Sequence, residues 1–189
     1  MAGMILAAAL TFGLLFLVDK GFTKTFRGTE MHQSGLSVRL PKRTGVAGII
    51  LCVLAVLTLF ADFGAEKKTM LFAAAFVGTM GIGLIVYYMT FGVFYNDEGF
   101  VYTSFGKKSV TYRYRDIQTQ KLYTTTGGSI LVELHMENGK AVTLQSTMEG
   151  MYPFLDKAFY RWCDQKGIEP GSCDFYDPDN SLWFPQEEN

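Results

Sequence analysis

The sequence predicts an α+β membrane protein, in which three transmembrane helices precede a small antiparallel β-domain capped by a C-terminal amphipathic helix. Of its 189 residues, 49% are hydrophobic and 19% are charged, below the roughly 25% charge of average soluble domains. The shortage of charge is local, because residues 2–18, 44–61 and 69–96 contain no Asp, Glu, Lys or Arg. After residue 96 polar and apolar residues alternate, which is typical of β-strands.

Each uncharged block has about the length of a bilayer-spanning helix, which takes about 20 apolar residues. The predicted spans lie at about residues 2–18, 44–63 and 70–91. The first block favours a retained anchor over a cleaved signal peptide, because no basic residue precedes Lys20 and no small-residue cleavage site follows Val18. Residues 92–96 are expected to form a stiff exit from the third span. Together these segments define a transmembrane region over residues 1–96.

Basic residues in the loops predict the orientation of the spans, since loops rich in Lys and Arg remain in the cytoplasm. The loop at 19–43 carries six of them: Lys20, Lys24, Arg27, Arg39, Lys42 and Arg43. The second loop carries only Lys67 and Lys68. We therefore expect a multi-pass protein of the cell membrane, with its N-terminus outside and its C-terminal domain in the cytoplasm.

The same six basic residues are the candidate contacts for anionic lipid headgroups. Near a charged leaflet each Lys or Arg contributes about 1 kcal/mol to binding. The alternative is that these charges only fix the topology. Small residues four apart in the spans, Ala9 with Gly13 and Ala74 with Gly78, permit close helix approach. They predict a protein partner or a homo-oligomer, unless they reflect only the general abundance of glycine in membrane helices.

The β-domain is predicted over residues 97–167, with about five strands. These lie at 100–105, 109–115, 117–123, 130–136 and 141–145. Between the last two strands, a three-residue loop with a left-handed Gly139 pairs Leu134 with Val142, whereas a two-residue Asn-Gly turn would put their apolar residues on opposite faces. Burial of one face favours the three-residue loop.

An amphipathic helix follows, beginning near Met151 and ending at Gly167. Its apolar residues recur at helical spacing: Met151, Phe154, Leu155, Ala158, Phe159 and Trp162. Residues 168–189 form an acidic tail that also contains aromatic residues, among them Trp183 and Phe184. Such a tail either packs back onto the domain or docks a partner, and the first alternative is favoured.

Three features in the β-domain resemble bacterial pleckstrin-homology-like domains of small membrane proteins, an uncharacterised family. They are a strand that begins at a glycine, the turn Gly106-Lys107-Lys108, and an aromatic–basic alternation that ends in Arg115-Asp116-Ile117. The resemblance covers about residues 97–166 and implies a binding or scaffolding module at the cytoplasmic leaflet, without assigning site residues. A full barrel of this family has seven strands. We hypothesise that residues 35–41, which alternate like a strand, supply a missing edge strand.

Motifs for catalysis and cofactor binding are absent from the sequence. His32 and His135 lack metal-ligand spacing, and neither a phosphate-binding loop nor a nucleophile elbow occurs. Cys163 and Cys173 either form a disulfide or, as we favour, remain free thiols. We expect no enzyme, no cofactor, no metal and no nucleic-acid partner. The predicted function is a non-enzymatic integral membrane protein that presents a binding or scaffolding domain; the alternative is an accessory subunit of a transporter or membrane enzyme complex.

Overall fold

The computed structural model describes residues 36–60, 67–104 and 109–187, which form two compact units. The helical unit contains the described residues between 41 and 91. The β-unit contains residues 36–40 and the described residues from 92 to 187. Two antiparallel sheets and a helix in the β-unit confirm the α+β character of the C-terminal half.

The helical unit consists of α1 (Lys42–Phe60) and α2 (Lys67–Thr90), which pack against each other. They run antiparallel, because Gly45 at the start of α1 faces Tyr88 at the end of α2. A Cβ atom added to Gly81 would lie 2.7 Å from the carbonyl oxygen of Gly48. The two backbones therefore approach so closely that only glycine fits at this crossing.

The predicted number of membrane spans is wrong. Within the described residues only α2 is long and apolar enough to cross a membrane, and the predicted span 2–18 lies outside them. The predictions that depend on this number are therefore wrong as well. They are the assignment as a multi-pass cell-membrane protein and the topology with an external N-terminus.

Two segment boundaries also differ from the prediction. The uncharged block at 69–96 contains both a helix and a strand, since Phe94 and Tyr95 belong to a sheet and are 2% and 3% exposed. The stiff exit predicted at 92–96 is thus part of the β-unit. Lys42 and Arg43, counted as loop charges, lie in the first turn of α1. Lack of charge does not reveal whether protein or lipid covers a segment.

The β-unit contains seven strands in two antiparallel sheets. In the first sheet the order is β1 (Ser37–Val38), β2 (Gly92–Tyr95), β3 (Gly99–Thr103) and β4 (Val110–Arg113). In the second it is β5 (Ile117–Thr124), β6 (Ile130–Met136) and β7 (Ala141–Gln145). A short 3-10 helix, Tyr114–Asp116, connects the sheets.

Two predictions about strand pairing are confirmed. Ser37 and Val38 pair with Phe94 and Val93, so the segment before α1 supplies the edge strand β1. Leu134 pairs with Val142, as a three-residue hairpin loop requires. Tyr114 departs from the prediction: it lies in the 3-10 helix and not on the preceding strand, and its side chain is fully buried.

Helix α3 (Met151–Lys166) covers the core of the β-unit with the predicted apolar face. Gly150 precedes it in the left-handed region at φ 83°, and a Cβ atom there would lie 2.5 Å from the carbonyl oxygen of Ser37. Gly167 ends the helix as predicted. Trp183 and Phe184 are 1% and 0% exposed, which confirms that the tail packs back onto the β-unit.

Candidate functional site

The residues predicted to contact anionic headgroups are divided between the two units. Three of them lie outside the described residues: Lys20, Lys24 and Arg27. Arg39 belongs to the β-unit, where its Nε donates a hydrogen bond to Ser37 Oγ at 3.2 Å. Lys42 and Arg43 are exposed at the start of α1. Their role in lipid binding stays a prediction.

Helix α2 presents a large apolar surface within the helical unit. Its exposed large side chains are Leu71, Phe72, Phe76, Met80 and Ile82. Phe72 and Phe76 are 77% and 67% exposed. The only charged residues of this helix, Lys67 and Lys68, lie in its first turn. At 1.5 Å per residue its length is about 36 Å, enough to cross a hydrocarbon core of about 30 Å.

A groove of about 450 Å³ lies between α1 and α2. Small side chains line much of it, including Cys52, Ala55 and Ala74. Gly78 packs toward α1, where an added Cβ would lie 3.3 Å from Ala55 Cβ, whereas Gly83 has open space around it. The predicted pair Ala74 and Gly78 thus serves helix packing inside one chain, and an intermolecular role for these residues stays a prediction.

Two adjoining polar clefts of about 410 and 430 Å³ lie at one corner of the β-unit and share Arg115 and Gln165. The backbone N–H of Arg115 donates to Gln165 Oε1 at 3.0 Å, and Gln165 Nε2 donates to the carbonyl oxygen of Glu98 at 3.1 Å. Gln165 therefore fixes the end of α3 to the turn between β2 and β3. The other charged residues of the clefts are of both signs: Asp97, Glu98, Arg113, Glu137 and Lys166.

Asp97 forms the centre of an ionic cluster beside these clefts. Its Oδ1 lies 2.8 Å from Lys157 Nζ and 2.9 Å from Arg161 Nη2. Two hydrogen bonds lower the pKa of Asp97; the one from Lys157 has the larger effect, and the one from Arg161 the smaller. The hydrogen bond to Asp97 in turn raises the pKa of Arg161. Nearby, Tyr114 donates to the carbonyl oxygen of Asn96 at 2.6 Å, and burial raises the pKa of this phenol. These contacts stabilise the corner.

Gln120 attaches the tail to the second sheet, a role that the sequence analysis missed. Its Oε1 accepts hydrogen bonds from the backbone N–H groups of Trp183 and Phe184, and its Nε2 donates to the carbonyl oxygen of Ser181. The tail forms a parallel bridge to β5 at Gln186. A glutamine in a strand normally faces water, but the bulge near the start of β5 changes the alternation of faces and turns Gln120 inward.

His135 lies next to the end of the tail, with its Nε2 3.6 Å from Glu187 Oε2. Glu187 also pairs with Lys121 at 2.7 Å, and the hydrogen bond between them raises the pKa of Lys121 and lowers that of Glu187. No group of three His, Cys, Asp or Glu residues in the described part of the chain could hold a metal ion. This region is therefore best described as a contact that holds the tail in place.

The structure describes two of the three segments that resemble the pleckstrin-homology-like family. Gly99 begins β3, and Arg115 and Asp116 lie in the 3-10 helix before β5, whereas the turn 106–108 lies outside the described residues. Comparisons with known proteins found no matching family model, no matching curated protein and no matching solved structure.

Proposed function

We propose that this protein is a non-enzymatic binding or scaffolding protein that is held at a lipid bilayer by α2. The β-unit is its binding module and is of the pleckstrin-homology-like type. The observation that carries the proposal is the exposure of large apolar side chains along a helix that has no charge between Lys68 and Thr90.

Lipid is the environment that best suits this surface. Burial of a fully exposed large aliphatic or aromatic side chain lowers the free energy by roughly 1.5–3 kcal/mol, and a side chain left in water lacks this stabilisation. For five side chains that are 52–77% exposed, the sum is about 5–9 kcal/mol, comparable with the whole stability of a domain. Hydrocarbon removes this cost, and the flexible chains of Lys67 and Lys68 can extend to the headgroups.

The architecture of the β-unit supports the binding part of the proposal. Seven antiparallel strands and one C-terminal helix make a rigid frame, and the number of strands equals that of the barrel in the resembling family. The clefts around Arg115 are open and carry charges of both signs. Such a surface suits a polar protein partner, whereas a small-molecule site is usually concave and mostly apolar.

Membrane attachment can be tested by extraction of the full chain. After expression, isolated membranes are washed with alkaline carbonate, and the protein is quantified in the pellet and in the supernatant. We expect it to stay in the pellet. The double variant Phe72→Lys/Phe76→Lys should shift to the supernatant, since Phe76 lies near the centre of α2, where a Lys disfavours helix insertion by about 3 kcal/mol.

A matched control comes from exposed aromatic residues on α3. The double variant Tyr152→Lys/Tyr160→Lys makes the same chemical change at side chains that are 40% and 52% exposed in the β-unit. It should remain in the pellet. Release of the unmodified chain by carbonate, or equal behaviour of the two double variants, would contradict the proposal.

The groove between α1 and α2 favours a second candidate function, an accessory subunit whose helical unit binds a partner helix. Small residues allow close approach of a neighbouring helix. Mild detergent purification followed by native mass spectrometry distinguishes the candidates. A single stoichiometric membrane protein that remains bound in high salt, and is lost on Ala75→Trp in the groove, would support the subunit function. Recovery of the chain alone would favour the first proposal.

A further inference from the structure

The last described residues of the tail bind the β-unit in the way that an extended peptide binds a sheet edge. The backbone N–H of Gln120 donates to the carbonyl oxygen of Pro185 at 2.8 Å, and its carbonyl oxygen accepts the N–H of Glu187 at 3.3 Å. The tail thus adds a short parallel strand to β5, which is the outer strand of its sheet. Addition of a strand to a sheet edge is a recurring mode of peptide recognition.

Two adjacent aromatic residues anchor this segment between β5 and α3. The indole N–H of Trp183 donates to Asp156 Oδ1 on α3 at 2.6 Å, and the Trp183 ring lies 5.8 Å from the ring of Tyr152. The ring of Phe184 is fully buried and lies 5.9 Å from the ring of Trp162. Large buried aromatic side chains are typical of the few residues that dominate the binding energy of an interface.

A lysine and a histidine contact the outer end of the segment. Lys121 Nζ lies 2.7 Å from Glu187 Oε2, and His135 Nε2 lies 3.6 Å from the same oxygen. This nitrogen is buried and has no hydrogen-bond partner among the described residues. A carboxylate seated slightly nearer would accept a hydrogen bond from it when it carries a proton. The name tail site is used below for the surface formed by Gln120, Lys121, His135 and Asp156.

An exposed turn joins this segment to the rest of the tail. Pro178–Asn180 form a 3-10 helix on the surface, and Ser181 follows in the left-handed region at φ 61°. This conformation is uncommon for residues other than glycine. Rotation at the turn would release residues 182–187 without moving α3. The contact that holds the preceding part of the tail, the stack of Tyr176 on Phe159, would remain in place.

The edge of β5 offers more hydrogen-bonding groups than the described tail uses. The strand continues to Thr124, and within the described residues its outer edge is paired only at Gln120. Backbone groups of alternate residues point to the same edge of a strand. Those of Leu122 and Thr124 therefore point in the same direction as those of Gln120. A longer extended segment has room to pair with β5 at these further positions.

We propose that the tail site is a peptide-binding site, which the tail covers and which an extended segment of a partner protein binds after displacing the tail. The partner segment carries two adjacent aromatic residues and a glutamate three positions beyond the second, as do Trp183, Phe184 and Glu187. This inference rests on the binding function proposed above for the β-unit. The tail acts as an internal competitor, whose effective concentration over a short linker is in the millimolar range.

The test uses the full chain in detergent and a fluorescent synthetic peptide that copies residues 181–187 and has an amidated C-terminus. Fluorescence anisotropy gives its Kd. The double variant Trp183→Ala/Phe184→Ala removes the anchors of the competing tail, and it should bind the peptide at least about ten-fold more tightly than the unmodified chain. The same two substitutions in the peptide should abolish binding.

A charge exchange tests whether the peptide occupies the tail site. In the background of the double variant, Lys121→Glu should weaken peptide binding several-fold. A peptide with lysine at the position of Glu187 should recover this loss. Lys140→Glu is the matched control, because it makes the same change at an exposed residue outside the tail site. It should leave the Kd unchanged.

A second variant keeps the test decisive if the double variant folds poorly. Glu187→Lys retains both aromatic anchors and removes only the contact with Lys121, and it should bind the original peptide more tightly than the unmodified chain does. A peptide with benzoylphenylalanine at the position of Phe184 should crosslink to α3 or β5. Mass spectrometry of the digested product locates the crosslink.

Three results would overturn the proposal. They are equal peptide affinity of the unmodified chain and both tail variants, no binding to any of them, and crosslinks outside α3 and β5. A dimer of the unmodified chain that is lost in the double variant would assign the tail site to the tail of a second copy and would overturn the assignment to a partner protein. Failure of peptide binding, with the chain still retained in the carbonate pellet, would overturn this inference and leave membrane attachment standing.

Discussion

The side-chain oxygen of Gln120 accepts the backbone N–H of Trp183 at 2.9 Å, in a place where neither residue is more than 1% exposed. The same oxygen accepts the N–H of Phe184 at 3.0 Å, and the amide nitrogen of Gln120 donates to Ser181. One buried side chain thus satisfies three backbone groups of the tail. Without it, these groups would be buried with no partner, a costly arrangement.

The first prediction concerns this amide. Gln120→Leu should lower the free energy of unfolding of the β-unit by about 3 kcal/mol, since each buried polar group left unsatisfied costs about 1–3 kcal/mol. The chain has two tryptophans, Trp162 and Trp183, and both lie in the β-unit. Their fluorescence in a urea titration therefore reports the unfolding of this unit.

Gln118→Leu is the matched control for Gln120. It makes the same change on the same strand at an exposed side chain. We expect its urea midpoint to stay close to that of the unmodified chain. Equal destabilisation by both substitutions would mean that the tail does not depend on Gln120.

The second prediction concerns acid sensitivity at Asp97. Its pKa is lowered below the ordinary value of 3.8 in the folded state. Its stabilising effect is therefore fully present above that value and is lost as the pH falls through the lower folded pKa. Asp97→Asn should lower the Tm at pH 7, and the difference from the unmodified chain should shrink below about pH 4.

Asp174→Asn provides the control for this pH series. Asp174 is exposed, and its substitution should not change the Tm at pH 7 or at pH 2. Thermal unfolding followed by tryptophan fluorescence measures all three proteins. If the Asp97 variant kept the same Tm difference at pH 7 and at pH 2, the ion pairs with Lys157 and Arg161 would not be its cause.

The sequence predicts the local features of the β-unit well and its long-range features poorly. Alternation locates β6 and β7, and the requirement to bury one face gives the pairing of Leu134 with Val142. Helical spacing likewise gives the buried face of α3. Each of these predictions uses residues that are close together in the chain.

The failures concern surroundings that local composition does not encode. Phe94 and Tyr95 continue an uncharged block but are buried in a sheet, and the inward direction of Gln120 depends on a bulge before it and a tail some 60 residues away. The sequence also does not reveal that Arg115 shares clefts with Asp97 and Glu137, because these side chains come from distant turns. Pattern and composition cannot supply such contacts.

The third prediction concerns the helix crossing at Gly81. An added Cβ would lie 2.7 Å from both the carbonyl oxygen of Gly48 and the sulfur of Cys52. Gly81→Ala should separate the helices, destabilise the helical unit by about 1–3 kcal/mol and expose Cys52. Maleimide labelling of Cys52 in detergent, quantified by peptide mass spectrometry, should become several-fold faster.

Gly83→Ala is the control for the crossing, because a Cβ atom added at Gly83 would meet no neighbouring atom within 4 Å. It should leave the labelling rate of Cys52 unchanged. Faster labelling in both variants would indicate a general effect of alanine on α2 and not a specific backbone contact.

The last prediction tests whether the segment before α1 stabilises the β-unit. Val38 is fully buried and pairs with Val93. Val38→Ala removes two buried carbon atoms and should lower the free energy of unfolding by about 2 kcal/mol. Leu36→Ala, at a side chain that is 39% exposed, should cost less than half as much. Urea unfolding monitored by the tryptophans, both distant in sequence from residues 36–40, measures the effect on the unit as a whole. If Val38→Ala left this transition unchanged, β1 would contribute nothing to the stability of the sheet.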